Sequence, residues 1–174
     1  MKISKDKNIV LIGYMGCGKS TVGRKAAKAL GYTFLDTDSL IEKEEGMSIA
    51  KLFEEKGEDY FRNKETEVIK RLIAGEKGNI IATGGGLPMK EENRALLTEL
   101  GTVIYLKAEN ETLVKRLSND KARPLLKNVD LKEKIETMLA IRGPVYEACA
   151  DVVLQADCMS FYEIICQIEK KLKV

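Results

Sequence analysis

Apolar residues along the chain fall into short unbroken runs and longer interrupted stretches. Asn8-Ile9-Val10-Leu11-Ile12 is the clearest run, with the continuous hydrophobicity of a strand buried on both faces. Thr33 to Leu35 is a shorter second strand, Asn79 to Thr83 and Thr102 to Leu106 repeat the pattern, and Asp151 to Leu154 is a fifth. Between them the spacing predicts helices over Lys19 to Leu30, Thr37 to Glu45, Ser48 to Ile73, Lys90 to Leu100, Glu109 to Leu117, Leu131 to Tyr146 and Phe161 to Leu172. Gly31 and Gly46 follow the first two helices, where C-cap glycines belong. Gly57 interrupts the third, so two helices meeting at an angle are expected there. Strand–helix alternation of this kind implies an α/β fold with a mainly parallel five-stranded sheet flanked by helices on both faces. No repeat or linker divides the chain, so residues 1–174 are expected to form one domain.

Composition narrows the classes. The 174 residues are 44% hydrophobic and 32% charged, with a net charge of +2, ordinary values that give no reason to expect a general nucleic-acid or membrane surface. No apolar run approaches the roughly 18 residues of a spanning helix, and Met1 to Asn8 lacks the apolar stretch of a signal peptide, so a cytoplasmic protein is expected. With no histidine, histidine acid–base chemistry and a histidine zinc site are excluded. Cys17, Cys149, Cys158 and Cys166 have no metal-site spacing and read as reduced thiols.

The strongest motif follows the first strand. Gly13-Tyr14-Met15-Gly16-Cys17-Gly18-Lys19-Ser20 fits G-x4-G-K-[ST] and opens a helix, the context in which such a loop cradles phosphates. Its glycines let successive backbone N–H groups turn toward phosphate oxygens, and the helix N-terminus adds positive potential. Lys19 can reach the β- and γ-phosphates, Ser20 can bind Mg²⁺, and Thr21 continues the nucleotide contacts into the helix. Cys17 sits at a helix N-terminus near Lys19, features that lower a thiol pKa. It is expected either merely to fit the loop or to be the most reactive of the thiols. The N/T-K-x-D signature of GTPases is absent, and the Ile80-Ile81 strand ends in Thr83-Gly84-Gly85-Gly86 rather than the acid of an ATP-driven motor.

The second strand supplies the acids, in Phe34-Leu35-Asp36-Thr37-Asp38. Two carboxylates at a strand end beside a phosphate loop, Asp36 and Asp38, suit two roles, one holding Mg²⁺ and the other serving as an acceptor-binding base. The plainer alternative is that Asp36 or Thr37 caps the following helix.

Further motifs follow in order: Tyr60-Phe61-Arg62-Asn63-Lys64-Glu65, Gly84-Gly85-Gly86, Arg123-Pro124-Leu125-Leu126 and Arg142-Gly143-Pro144-Val145-Tyr146. With the phosphate loop and the acidic pair, this series resembles the shikimate kinases over nearly the whole chain. The resemblance implies a P-loop kinase that transfers the γ-phosphoryl group of ATP, with Mg²⁺, to a hydroxyl of shikimate. It assigns the acceptor carboxylate to Arg62 and Arg142, the acceptor hydroxyls to Asp38, and the ring's floor to Gly84, Gly85 and Gly86. It places Arg116 near the adenine and Arg123 over the phosphates, in a short mobile lid at about 119–130, with an acceptor-binding helical segment at about 37–64. Glu65, three residues from Arg62 on a helix, can orient that arginine. The expected partners are ATP and shikimate in a monomer, with no nucleic acid and no membrane. Leu154 to Cys158 offers no arginine to the purine, which leaves ATP over GTP open. The competing readings are a gluconate or nucleotide kinase and a non-catalytic nucleotide-binding regulator. Asp38 discriminates against the last, because a binding module needs no carboxylate at the acceptor.

Overall fold

A computed structural model of the chain describes residues 6–119 and 130–172. Five strands form one parallel sheet: β1 (Asn8–Ile12), β2 (Thr33–Asp36), β3 (Asn79–Ala82), β4 (Gly101–Lys107) and β5 (Val152–Gln155), in the order β2-β3-β1-β4-β5. The expected strands are all present, displaced at their ends by a residue at most. Every residue of β1 is buried, as its unbroken hydrophobicity demands of a strand in the middle of the sheet. Burial of Ile9, Leu11 and Ile12 is worth about 1.5–3 kcal/mol each.

Among the described residues the helices are α1 (Lys19–Leu30), α2 (Thr37–Glu45), α3 (Ile49–Ala74), α4 (Glu91–Leu100), α5 (Asn110–Ser118), α6 (Leu131–Cys149) and α7 (Phe161–Leu172). Gly57 breaks α3, with φ 81° and ψ 170°, so the expected bend is real. Helix α6 runs through Pro144 and ends at Cys149, beyond the expected Tyr146. A short 3₁₀ helix at Leu87–Met89, directly after the triple glycine, was not expected from the sequence. Its span is too short for a periodicity to register.

The core is in two parts. The larger lies against the sheet and takes in β1, β3, β4 and the inner faces of α1, α4, α6 and α7. A smaller one, Ile41, Leu52, Phe61 and Val68, ties α2 to both arms of α3. It holds the arm bearing Arg62 to α2 and to the other arm, with the rings of Phe53 and Phe61 packed 4.9 Å apart. No helix among the described residues is long and apolar enough to cross a membrane.

Candidate active site

Strand β1 lies between β3 and β4, so the chain leaves it toward one edge of the sheet and later returns on the other side. Crevices of parallel sheets form at such switch points, outside the carboxyl ends of the strands. Three turns meet there: Gly13–Gly18 after β1, Asp36–Asp38 after β2, and Thr83–Gly86 after β3.

The first turn is a phosphate cradle made from backbone. Gly13 and Gly18 have φ of 143° and 103°, which side-chain-bearing residues rarely adopt. Gly18 caps α1 with no side-chain hydrogen bond, so the first N–H groups of the helix stay open to an anion. Lys19 Nζ folds back over the loop and donates to the carbonyls of Gly13 at 2.7 Å and Tyr14 at 3.0 Å. Tyr14 is buried, Met15 and Gly16 are half-buried, and Thr21 is exposed on the first turn of α1. Arg116, on α5, donates to the Gly16 carbonyl at 3.0 Å, which places its guanidinium beside the phosphate loop.

Cys17 is 2% exposed, with Sγ 3.8 Å from Lys19 Nζ and close under Gly13. The curl that brings Gly13 and Lys19 around one point folds this thiol beneath the loop. Of the two expectations for Cys17, its burial favours the plainer one, a small residue that fits the loop. Cys158 is the exposed cysteine, while Cys149 and Cys166 are half-buried.

At the second turn Asp36 divides its carboxylate. Oδ1 accepts from the backbone N–H groups of Asp38 and Ser39 at 3.1 and 3.2 Å and so caps α2. Oδ2 accepts from Ser20 Oγ at 2.9 Å. The capping alternative is thus realised by one oxygen, while the other faces the phosphate loop.

The third turn is a floor with charged groups pressed against it. A Cβ at Gly84 would stand 2.7 Å from Glu65 Oε1 and 2.8 Å from Asp38 Oδ1, and one at Gly86 would stand 2.5 Å from Arg62 Nη1. A Cβ at Gly85 would be 3.4 Å from the Gly13 carbonyl, so floor and phosphate loop adjoin. Arg62 is held from both sides: Nη1 donates to Glu65 Oε2 at 2.8 Å, and Nη2 to Glu58 Oε1 at 2.9 Å. Burial works against its charge, but Glu65 and Glu58 outweigh it and hold the guanidinium above its usual value. Glu65 is wholly buried, and its Oε1 has no hydrogen-bond partner among the described residues. Burial raises its carboxyl to about 7; Arg62 and Arg142 oppose the shift and Asp38 adds to it.

Arg142 is half-buried on α6, close enough to Glu65 and Tyr146 to perturb both. The structure therefore brings together Asp38, Arg62, Arg142 and all three floor glycines. Arg123 and all but the two end residues of the lid expected at about 119–130 fall in 120–129, outside the described residues.

Sequence reasoning missed three supports. Tyr146 is fully buried, donates from its hydroxyl to the Gly85 carbonyl at 2.5 Å, and packs 5.1 Å from Tyr105. Burial pushes its phenol up, with Arg142 opposing, so it stays a donor. Its place in the R-x-P-x-Y motif was the available signal. Thr37, considered only as a cap, accepts from the Gly84 N–H at 3.1 Å. Glu58, the second clamp on Arg62, looked like any surface acid one helical turn away.

A phosphate loop on the central strand of a parallel sheet, facing a carboxylate and paired arginines across a glycine floor, defines a P-loop kinase of small molecules. The family model described as shikimate kinase matches residues 15–173. The chain belongs to the shikimate kinase family. A shikimate kinase of Thioalkalivibrio sulfidiphilus (strain HL-EbGR7) is 40% identical over 168 residues, 97% of this chain and 88% of the relative. One from Francisella tularensis subsp. holarctica is 41% identical over 94% of this chain and 93% of its own. Shikimate kinase from Acinetobacter baumannii, solved in complex with shikimate, superposes with a TM-score of 0.87 at 37% identity, over 95% of this chain and 92% of that one. A gluconokinase from Sinorhizobium meliloti, 19% identical with a TM-score of 0.59, shares the fold alone.

Proposed function

We propose that this chain transfers the γ-phosphoryl group of ATP to the 3-hydroxyl of shikimate, giving shikimate 3-phosphate and ADP, a step toward chorismate and the aromatic amino acids. The observation that carries the reading is the glycine floor beside the phosphate loop, with Asp38 and Glu65 against one end and the Arg62 guanidinium against the other. Shikimate has one carboxylate and three ring hydroxyls. A guanidinium pair suits the carboxylate through paired, charge-assisted hydrogen bonds, and a carboxylate suits the hydroxyls.

The residue roles follow from that pose. Arg62 and Arg142 bind the acceptor carboxylate, and Gly84, Gly85 and Gly86 lie under the ring, where a side chain would intrude. Asp38 accepts from the attacked hydroxyl. As that oxygen bonds to the γ-phosphorus, the bond to the β,γ-bridging oxygen breaks, ADP leaves, and Asp38 takes the hydroxyl proton. Lys19 exchanges its loop carbonyls for phosphate oxygens and offsets their charge. Residues 37–64 form the acceptor-binding segment of one kinase unit.

Mg²⁺ fits the chain's oxygens. Ser20 Oγ and Asp36 Oδ2, 2.9 Å apart beside the phosphate loop, are hard donors. No cluster of three or more His, Cys, Asp or Glu suited to a metal occurs among the described residues. That is the pattern for an ion held mainly by substrate phosphates and its own waters. Ser20 would bind it directly and Asp36 through water; the ion supplies neutralisation of the β- and γ-phosphate charge.

The test is ADP release with ATP and shikimate, the product identified by mass, alongside gluconate, nucleoside monophosphates and no acceptor. Turnover with shikimate alone is expected. Turnover with another acceptor, or with none, overturns the reading.

A further inference from the structure

The 3₁₀ helix at Leu87–Met89 begins one residue after Gly86 and is too short to satisfy its own carbonyls. Two consecutive residues of α4 take all three. Asn93 Nδ2 donates to the Leu87 carbonyl at 3.0 Å, while Arg94 donates from Nε to Pro88 at 3.0 Å and from Nη2 to Met89 at 3.2 Å. Asn93 is fully buried, and its other end is also engaged: Oδ1 accepts from Thr66 Oγ1 at 2.8 Å. Thr66 is itself buried, one turn after Arg62 on α3, with its hydroxyl 3.1 Å from the Arg62 carbonyl. A single buried amide thus bridges the helix that carries Arg62 and the residue that follows the glycine floor.

That bridge spans the tightest contact of the site. The Arg62 guanidinium lies so close to Gly86 that no side chain fits between them. The floor is fixed from within as well, since Leu87 N donates to Gly84 at 3.2 Å and Met89 N to Gly86 at 3.0 Å. A shift of the 3₁₀ helix therefore moves the glycines with it. We propose that Thr66 and Asn93 are positioning residues for the acceptor: their buried hydrogen-bond chain sets the spacing between Arg62 and the glycine floor, with Arg94 holding the 3₁₀ helix in register. The inference rests on the reading that Arg62 and the floor bind the acceptor. None of the three residues has to touch it.

The experiment compares Thr66→Val, Thr66→Ser, Arg94→Met and, as a control on the reading itself, Arg62→Lys. Each is assayed for acceptor KM, ATP KM and kcat, with shikimate affinity measured directly and thermal unfolding recorded. Valine keeps the shape of threonine but leaves Asn93 Oδ1 without its buried donor. Thr66→Val should raise acceptor KM about tenfold, with ATP KM and kcat within about threefold, because small displacements of binding groups carry large functional costs. Thr66→Ser, which keeps the hydroxyl, should restore wild-type values. Arg94→Met, at a half-buried position, should raise acceptor KM about threefold. A folded Thr66→Val protein with wild-type acceptor KM, or with both KM values raised equally, overturns the proposal. Should Thr66→Val not fold, an unchanged acceptor KM in Arg94→Met overturns it. If Arg62→Lys also leaves acceptor KM unchanged, the acceptor reading itself has failed; if Arg62→Lys raises it and the others do not, only the positioning proposal has.

Discussion

The two halves of this site are built in opposite ways. The phosphate loop is one segment, residues 13–20, made chiefly of backbone and set on a strand buried from end to end. Its geometry comes from glycine dihedrals and a helix N-terminus, so it exists before a ligand arrives. The proposed acceptor side draws Asp38, Arg62, Gly84 to Gly86 and Arg142 from four distant parts of the chain. It is built from charged side chains that must be held against one another, Arg62 between Glu58 and Glu65 and Glu65 beside Asp38. The lesson is that a backbone site is protected by fold stability, whereas a side-chain site is tuned by its supports and can be lost while the fold survives.

The largest effects should come from removing the charge that each half presents to the transferred phosphoryl group and its acceptor. Lys19→Met and Asp38→Asn are each expected to lower kcat about 10²-fold or more, with circular dichroism unchanged, since neither opens a cavity. A folded Asp38→Asn enzyme with near-normal turnover would remove Asp38 from the chemistry.

Matched glycine substitutions test the contrast itself. At Gly13 a Cβ meets the Leu106 backbone carbonyl at 2.7 Å and the φ of 143° is strained for alanine, so Gly13→Ala should lower the unfolding midpoint markedly. At Gly86 φ is −88°, open to any residue, and the nearest atoms a Cβ meets belong to the guanidinium of Arg62. Gly86→Ala should lower the midpoint less than Gly13→Ala does and raise acceptor KM about tenfold or more, ATP KM being little altered. Equal destabilisation by the two would erase the distinction drawn between the halves.

A smaller effect concerns Glu65. The folded protein holds its proton up to about 7, well above the ordinary carboxylate value of 4.5, because the side chain is buried. Between those two values the folded state binds the proton and the unfolded state does not, so this group's contribution to stability falls as pH rises, and it is flat above about 7. Glu65→Gln, which cannot titrate, should therefore gain stability relative to wild type between pH 4.5 and about 7 in urea denaturation. A stability difference independent of pH would mean that Glu65 titrates as an exposed carboxylate does.

The smallest test is of the thiols. Alkylation followed by peptide mapping should label exposed Cys158 before buried Cys17, and Cys17→Ala should leave the initial labelling rate unchanged. Labelling of Cys17 first would show that the phosphate loop opens far more readily than its packing implies.

By itself the sequence determined the five strands, the bend at Gly57 and the phosphate loop, because each is encoded over a few adjacent residues through hydrophobic run length or glycine's access to positive φ. Motif order pointed to Asp38, Arg62, the triple glycine and Arg142, and the fold does bring them together. Only the tertiary structure decided how they are held. It split Asp36 between the helix cap and Ser20, turned Cys17 under its loop, and seated Tyr146, Thr37 and Asn93 as hydrogen-bonding supports of the glycine turn and its 3₁₀ helix. The physical reason is burial. A tyrosine or an asparagine looks the same in sequence wherever it lies. It becomes a structural tie only where packing has excluded water and left one partner within reach, and that depends on elements distant along the chain.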